Sequence, residues 1–204
     1  MGARRLILCA VLAAAAWGCS GKSAYLVSPA LGALPDPRVA VLPFDDQSTD
    51  VNAADIMRKL AAEGFARKGY PYLPLAEVDA RLSGMGISEG GQLPGLAPKA
   101  IGAALGADLL CYGDVEKFTF QDLGFVVRKE VRLHLKVISA STGETLYEKS
   151  GTGKDFQVYT NKDDAKRALV EQLAVKMVQN ILKTPLKREA EISAEKALDS
   201  LPRR

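Results

Sequence analysis

The segment 125–140 constrains the fold most, because its apolar and polar residues alternate without interruption from Val131 to Val137. Four apolar side chains fall on one side of an extended chain: Val131, Leu133, Leu135 and Val137. Three polar side chains fall on the other: Arg132, His134 and Lys136. This period of two predicts a strand with one face in the core and one polar face. Segments 108–120 and 144–157 also have strand character, and Ser141-Thr142-Gly143 supplies a turn. We therefore expect a three-stranded antiparallel meander.

The segment before the meander alternates between strand and helix patterns. Its predicted elements are a strand at 38–44, a helix at 50–68, a strand at 70–75, and helices at 76–82 and 98–105. A further helix is predicted at 163–182 from the helical spacing of its apolar residues. The sequence thus predicts an α/β protein with a mixed sheet, in which a βαβα start leads into the meander. Helices pack on this sheet, and a C-terminal helix closes it.

Residues 1–18 have the order of a secretory signal peptide. Two arginines precede the apolar run Leu6–Ala16, which is shorter than the roughly 20 residues that span a bilayer as a helix. A small residue then precedes Cys19, as in the box at which bacterial lipoproteins are cleaved and acylated. We predict that Cys19 carries the lipid, and Ser20 after it is typical of lipoproteins sorted to the outer membrane. The alternative is ordinary cleavage after residues 14–16, which would release a soluble periplasmic protein.

The remaining chain divides by composition into three regions. Residues 19–37 contain Gly, Ser and three prolines without periodicity, which predicts a flexible linker behind the lipidated Cys. Residues 38–183 hold the periodic segments and are long enough for a single globular domain. Residues 184–204 are charged and only weakly helical, so we expect a charged C-terminal tail.

Charge and cysteine content narrow the function. The chain has 27 Lys and Arg and 24 Asp and Glu, and loss of the two signal-peptide arginines leaves it near neutral. This balance does not favour nucleic-acid binding, which needs a clustered basic surface. Cys111 is the only cysteine beyond Cys19 in the mature chain, so the fold has no intramolecular disulfide, and we expect Cys111 to be a buried strand residue. With a single His besides, the sequence predicts neither a metal site nor a cofactor.

One motif points to an enzyme. Residues 86–90 match the G-x-S-x-G pattern around a nucleophilic Ser88, and Asp114 and His134 follow in the order of a hydrolase triad. The pattern requires a strand before the Ser and a helix directly after it, whereas a helix precedes Ser88 and a loop follows. We therefore predict no catalytic residue and no enzyme activity, and keep a Ser88 hydrolase as the alternative.

Two other motifs have structural interpretations. Gly151-Thr152-Gly153-Lys154 lacks the upstream Gly and the following Ser or Thr of a phosphate loop, so a strand with a bend at its glycines is favoured. Asp45, Asp46 and Asp50 lack the central Gly and distal Glu of a calcium loop, so we expect them to form turns and cap a helix.

The meander offers two candidate surfaces for a partner. On the polar face, acidic side chains of the outer strands flank basic ones of the middle strand, with Arg132 and Lys136 as contact residues; ion pairs that simply face water are the alternative. At the first turn, Phe118, Phe120 and Phe125 cannot all be buried in one core by alternation. They predict an exposed apolar patch, with packing under the C-terminal segment as the alternative.

Several short motifs occur together in a recognisable order. They are Val39–Phe44, Thr49-Asp50-Val51-Asn52-Ala53, Gly69–Pro74, Leu105–Leu110 and Ser141–Glu144. Over about residues 38–182 the chain resembles the CsgG/LpoB/TolB-N-terminal-like group of bacterial lipoproteins. The branch it is most similar to is that of lipoproteins described as auxiliary components of ABC-type transport.

The resemblance implies an outer-membrane lipoprotein that faces the periplasm and acts, without enzyme activity, as an accessory or scaffold of an envelope transport or secretion system. Regulation of peptidoglycan synthesis, as in LpoB, and self-assembly into a secretion component are the alternatives. The expected partners are the membrane, through the N-terminal lipid, an envelope protein and other copies of the chain. CsgG-type pores need additional spanning hairpins, which the strands of this chain do not supply.

Overall fold

The computed structural model describes residues 24–123, 126–158 and 186–204. The strands are β1 (Tyr25–Val27), β2 (Val39–Val41), β3 (Asp45–Asp46), β4 (Leu109–Asp122), β5 (Val126–Ser139) and β6 (Thr145–Val158). The helices are α1 (Pro29–Ala33), α2 (Ala53–Arg67), α3 (Leu75–Ser83), α4 (Pro98–Leu105) and α5 (Lys187–Leu198), with a 3-10 helix at Gly90–Gly95. None of the helices in these ranges is both long and apolar enough to cross a membrane.

The strands of the described residues form one mixed sheet in the order β1-β6-β5-β4-β2, with β3 also beside β4. β4, β5 and β6 are the predicted antiparallel meander, whereas β2 and β3 run parallel to β4. The predicted turn after β5 is present, and Gly143 has a φ of 74°, which a glycine adopts without strain. The predicted α/β class, with helices on a mixed sheet and a C-terminal helix, is confirmed. The predicted strand at 70–75 is reduced to a single bridge between Tyr72 and Val39.

The sheet is covered on its two sides by different helices. On one side, β4, β5 and β6 pack under α2 and α5, and Phe65, Leu133 and Tyr147 are fully buried there. On the other side, α3, α4 and the 3-10 helix cover only the first residues of β4 and the last of β5, where Leu110 and Ile138 are buried. Beyond this cover, the described residues on the second side are mainly polar, and they form the part of the sheet that a partner could reach.

A β-bulge in β4 changes which residues face the main core. Val115 pairs with Leu133, but the next pair joins Lys117 to Arg132, so Glu116 is the extra residue. Beyond the bulge the alternation of β4 is inverted. Phe118 therefore pairs with Val131 on the core side and is only 3% exposed.

Part of the predicted linker belongs to the folded domain. β1 pairs antiparallel with β6, with Tyr25 opposite Lys149, and α1 follows directly. Ser28 caps α1 by accepting a hydrogen bond from the Ala30 N–H, and Leu31 is fully buried. Composition did not reveal these elements because they are only three and five residues long and contain the proline and glycine typical of linkers.

The predicted charged tail also folds onto the sheet, as α5. The helix lies so close to β6 that a Cβ on Gly151 would collide with the Ser193 carbonyl, and one on Gly153 with the Glu189 carbonyl. The Ser193 hydroxyl donates to the Gly151 carbonyl at 3.0 Å. The paired glycines thus serve helix packing rather than the predicted bend. The helix predicted at 163–182 lies outside the described residues.

A buried arginine links the helices on opposite sides of the sheet. The Arg58 side chain extends from α2 to the end of β2, where its Nε and Nη2 donate to the Val41 carbonyl at 3.1 and 3.0 Å. Its Nη1 pairs with Asp79 of α3 at 2.7 Å. Because a buried charge without partners is costly, these bonds are what allow Arg58 to be 5% exposed.

We expect Gly153→Ala to lower the free energy of unfolding by about 1–3 kcal/mol, because the added methyl group meets helix backbone rather than a movable side chain. The measurement is urea unfolding followed by circular dichroism. Gly32→Ala is the matched control, since a Cβ at Gly32 has nothing within 4 Å. Equal stability of the two variants would contradict the close packing of α5 on β6.

Candidate interaction surface

The polar side of the meander is the main accessible feature of the sheet. We call it the polar face and define it by Asp114, Glu116, Arg132, His134, Lys136, Glu148 and Ser150. These residues alternate with the core residues of β4, β5 and β6, and they begin where the cover of α3 and α4 ends. Of the residues predicted to bind a partner, Arg132 is half-buried within this face and Lys136 is exposed on it.

Glu130 is a buried carboxylate at the distal end of the polar face, the end away from α3 and α4, and no sequence pattern marks it as a site residue. Four basic side chains from three strands surround it. The cations and their distances to the carboxylate oxygens are Arg128 at 2.6 Å, Arg132 at 3.2 Å, Lys154 at 3.2 Å and Lys117 at 3.6 Å. We call these four residues the basic cluster.

The electrostatics of Glu130 follow from this surrounding. Burial alone would raise the pKa of Glu130, but hydrogen bonds from Arg128 and Lys154 and the charges of Lys154 and Lys117 outweigh burial and lower the pKa to about 2. Glu130 is thus ionised throughout the physiological range. Only one further carboxylate of the described residues, Glu116, forms an ion pair with the cluster, to Arg132 at 3.6 Å. The cluster keeps an excess of positive charge, and three of its side chains are about half exposed.

His134 forms a second polar group nearer the helices. Its Nδ1 is hydrogen-bonded to the Ser150 hydroxyl at 3.0 Å, and its Nε2 lies 3.1 Å from a Glu148 oxygen. Asp114 lies opposite His134 in the β4–β5 ladder. Burial raises the pKa of Asp114, an effect that nearby His134 opposes and that Asp45 and Glu116 reinforce. Ser150, His134 and Asp114 thus bring together the three residue types of a hydrolase triad. Ser150 lies within a regular strand, however, whereas a hydrolase nucleophile lies at a sharp turn between a strand and a helix.

Ser88 is not joined to the other residues of the predicted triad. Its backbone N–H donates to the Gln92 side chain at 2.7 Å, and its hydroxyl lies 3.5 Å from the same oxygen, as part of the cap of the 3-10 helix. In the described ranges, no hydrogen bond connects Ser88 with His134 or Asp114. The G-x-S-x-G match therefore lies in a helix cap.

The acidic residues after β2 line a cleft beside Ser88, but their oxygens are engaged in turns. Asp46 accepts from the Ser48 N–H at 2.7 Å, and Asp50 accepts from the Asn52 N–H at 3.0 Å just before α2. Across the described part of the chain, no group of three or more His, Cys, Asp or Glu is arranged to hold a metal ion. Cys111 is fully buried, and burial raises the pKa of its thiol, so it is a core residue as expected.

The predicted apolar patch at the first turn has a different composition in the structure. Phe118 is buried because of the bulge, and Phe120 is partly buried and packs against the main core. Phe125 lies outside the described residues. The exposed side chains at this end of the sheet are Leu123 at 70%, Phe156 at 64% and Val158 at 61%, which we call the strand-end patch. Phe156 and Val158 lie on the same face of β6 as Ser150, Thr152 and Lys154. Two apolar residues at positions of a polar face are visible in the sequence and could have indicated the patch.

We expect Glu130→Gln to lower the free energy of unfolding at neutral pH by roughly 3 kcal/mol, the equivalent of the fall in pKa from 4.5 to about 2. Because the folded-state pKa lies below the unfolded one, the contribution is complete above about pH 5 and is lost as the pH falls through about 2. Urea unfolding of wild type and variant across this range should therefore converge in acid. Glu63→Gln on the exposed surface of α2 is the control. If wild type and Glu130→Gln differed in the free energy of unfolding by the same amount at every pH, the stabilisation of ionised Glu130 by the basic cluster would be refuted.

Comparison with known proteins identifies the family. A protein-family model described as "Putative lipoprotein GNA1162-like" matches residues 33–202, which is most of the chain and contains β2 to α5. A search of curated protein sequences finds no significant match.

Solved structures show that the fold is shared. Lipoprotein GNA1162 from Neisseria meningitidis is 20% identical, with a TM-score of 0.56, and the match covers 68% of this chain and 99% of that one. The PelC dodecamer from Paraburkholderia phytofirmans is 13% identical, with a TM-score of 0.53 and coverage of 89% and 99%. Protein CT253 from Chlamydia trachomatis is 11% identical, with a TM-score of 0.50 and coverage of 81% and 95%. The predicted membership of a bacterial lipoprotein group is confirmed. The predicted relationship to CsgG, to TolB and to the auxiliary components of ABC-type transport stays a prediction. The chain belongs to the GNA1162-like lipoprotein family.

Proposed function

We propose that this protein is an outer-membrane lipoprotein, anchored through Cys19 with its domain in the periplasm. It acts without catalysis as an accessory of an envelope transport or secretion system by binding a protein partner. Family membership supports the lipid anchor. The partner-binding role is supported by one observation above all: the described helices cover only part of the second side of the sheet, and the polar face lies on the remainder.

The polar face suits recognition of another protein. Its side chains project from three adjacent strands of a hydrogen-bonded ladder, so their spacing is set by the backbone. Acidic and basic groups alternate across it: Asp114 opposes His134, and Lys136 opposes Glu148. Such fixed charge patterns select partners by electrostatic complementarity more than they add affinity. We place the contact around Lys136, which is exposed and adjoins the edge of the α3–α4 cover.

Self-assembly is the second candidate. The fold likeness extends over 99% of a PelC chain whose structure is described as a dodecamer. β6 also continues well beyond β1, which covers it only at Tyr147–Lys149 among the described residues. Native mass spectrometry of the full-length protein in detergent tests this candidate, and a monomer at every concentration would remove it.

We expect Cys19→Ser to move the protein from the membrane to the soluble periplasmic fraction, because the substitution removes the thiol that carries the lipid. Cell fractionation with immunoblotting measures this. Cys9→Ser, within the signal peptide, is the matched control and should leave the protein in the membrane. If Cys19→Ser stayed in the membrane as well, the anchor would be assigned to the wrong residue or would not be needed.

We expect a photo-crosslinking amino acid at position 136 to give a discrete adduct with an envelope protein in living cells. The same probe at position 63, on the exposed surface of α2, should give none. Gel analysis and mass spectrometry of the adduct identify the partner. Adducts of equal yield at both positions would show that the polar face is not the binding surface.

A further inference from the structure

We propose that the distal end of the meander is a second membrane contact, in which the strand-end patch enters the interface of an anionic phospholipid bilayer and the basic cluster binds its headgroups. This inference rests on the lipid anchor at Cys19 for the orientation of the domain. The contact itself is carried by residues of β4, β5 and β6 and can be measured without the anchor.

The tether that joins the domain to the anchor is short. β1 begins at Tyr25 and is fixed to β6 opposite Lys149. Five residues lie between Cys19 and Tyr25, and the six steps from one to the other reach at most about 20 Å when the chain is extended. The edge of the sheet at Tyr25 is therefore held close to the bilayer surface, rather than at the end of the longer linker that the sequence predicted.

The direction of the tether points to the strand ends. β1 is antiparallel to β6, so the Tyr25 end of β1, to which the tether is joined, is the end that faces the Val158 end of β6. Nine residues of strand span about 30 Å, which exceeds the reach of the tether. With the strands upright on the membrane, the end of β6 would therefore lie at or below the level of the anchored Cys19.

The strand ends have the apolar surface that such a position requires. Phe156 and Val158 are more than half exposed on the same face of β6, and Leu123 is 70% exposed at the adjoining end of β4. Three large apolar side chains so exposed at one end of a sheet mark a contact site. The affinity of a protein surface for the bilayer interface grows with its buried apolar area and with its electrostatic attraction to anionic lipids.

The basic cluster lies directly behind this patch. Arg128 is paired with Phe156 in the ladder, and Lys154 precedes Phe156 by two residues on the same face. Arg128, Lys154 and Lys117 have half-exposed side chains, and together with Arg132 they exceed the charge of Glu130 and Glu116. Apolar residues at the tip followed by a cationic belt match the order of acyl chains and anionic headgroups in a bilayer. This order favours a membrane over a protein as the occupant.

A tryptophan probe tests the insertion. The single tryptophan of the chain, Trp17, lies in the predicted signal peptide, so Phe156→Trp places a reporter in the patch. We use the mature chain from residue 19 onward with Cys19→Ser, so that any binding is independent of the lipid and of the signal peptide, and the introduced residue is the only tryptophan. Vesicles of equal parts phosphatidylglycerol and phosphatidylcholine should shift its emission to shorter wavelength, and brominated lipid should quench it. Val51→Trp, at a 92% exposed position before α2, is the control and should not respond.

Vesicle co-sedimentation tests the energetics. We expect Phe156→Asp to weaken partitioning into the anionic vesicles by about tenfold or more, the equivalent of losing one buried aromatic side chain. Val51→Asp should bind like wild type. Raising the salt from about 0.1 M to about 1 M should also weaken binding, because it shortens the Debye length from about 10 Å to about 3 Å. Matching urea midpoints for the two Asp variants would show that folding is not the cause.

Some outcomes would overturn the proposal without touching the proposed function. The proposal fails if vesicles leave the emission of Phe156→Trp unchanged, or if Phe156→Asp binds vesicles as well as wild type does. An unchanged emission is also the result expected of a patch that binds a protein instead of lipid. Failure of the anchor is a separate finding: protein with both Cys19→Ser and Phe156→Asp would still stay in the membrane fraction, and the vesicle assays would be unaffected.

Discussion

The structure depends on the close approach of α5 to β6. Gly151 and Gly153 leave bare backbone on one side of β6, and α5 meets it with small side chains, among them Ala190, Ser193 and Ala197. A larger residue at either glycine would hold the helix away from the sheet. Through this contact α5 covers the apolar row of β5 beside α2 and completes the main core. Burying that row commits the alternate row of the same strand to the opposite side of the sheet.

The polar face exists because the side chains that alternate with this buried row lie on the opposite side of the sheet. Because α3 and α4 cover only one end of the second side, the remaining side chains of the meander are satisfied by one another and by solvent. Glu130 has the highest cost of burial among them, and its carboxylate is stabilised by cations that come from all three strands, β4, β5 and β6. The bulge at Glu116 contributes, since it turns Lys117 toward this carboxylate and Phe118 into the core. The bulge thus adds the positive charge of Lys117 to the polar side of the sheet and removes Phe118 from the surface.

The two proposed contacts lie at different positions along the same strands. Lys136 is near the helices and level with β1, since Lys136 and Leu26 both pair with Glu148, whereas Phe156 is at the far end of the meander. A domain held at its distal end by lipid would present its helix-proximal half to the periplasm. The arrangement separates membrane contact from partner contact while keeping both on one rigid ladder.

Features that depend on neighbours along the chain could be predicted from the amino-acid sequence. Alternation in 125–140 was sufficient for the meander and for the polarity of its faces, and Pro98 and Gly106 bounded α4 at the observed residues. Composition at the N-terminus was likewise sufficient for the prediction of a signal peptide and of Cys19 as the anchor.

Features that depend on residues far apart in the chain became visible in the folded domain alone. A stripe of alanines in α5 is a weak apolar signal until two glycines about 40 residues earlier provide a flat surface for it. β1 is too short to be recognised without β6 as its partner, and Glu130 is ordinary in sequence until three strands bring four cations around it. The physical reason is common to all three. Burial and ion pairing are properties of the assembled neighbours, and a residue's own sequence context does not contain them.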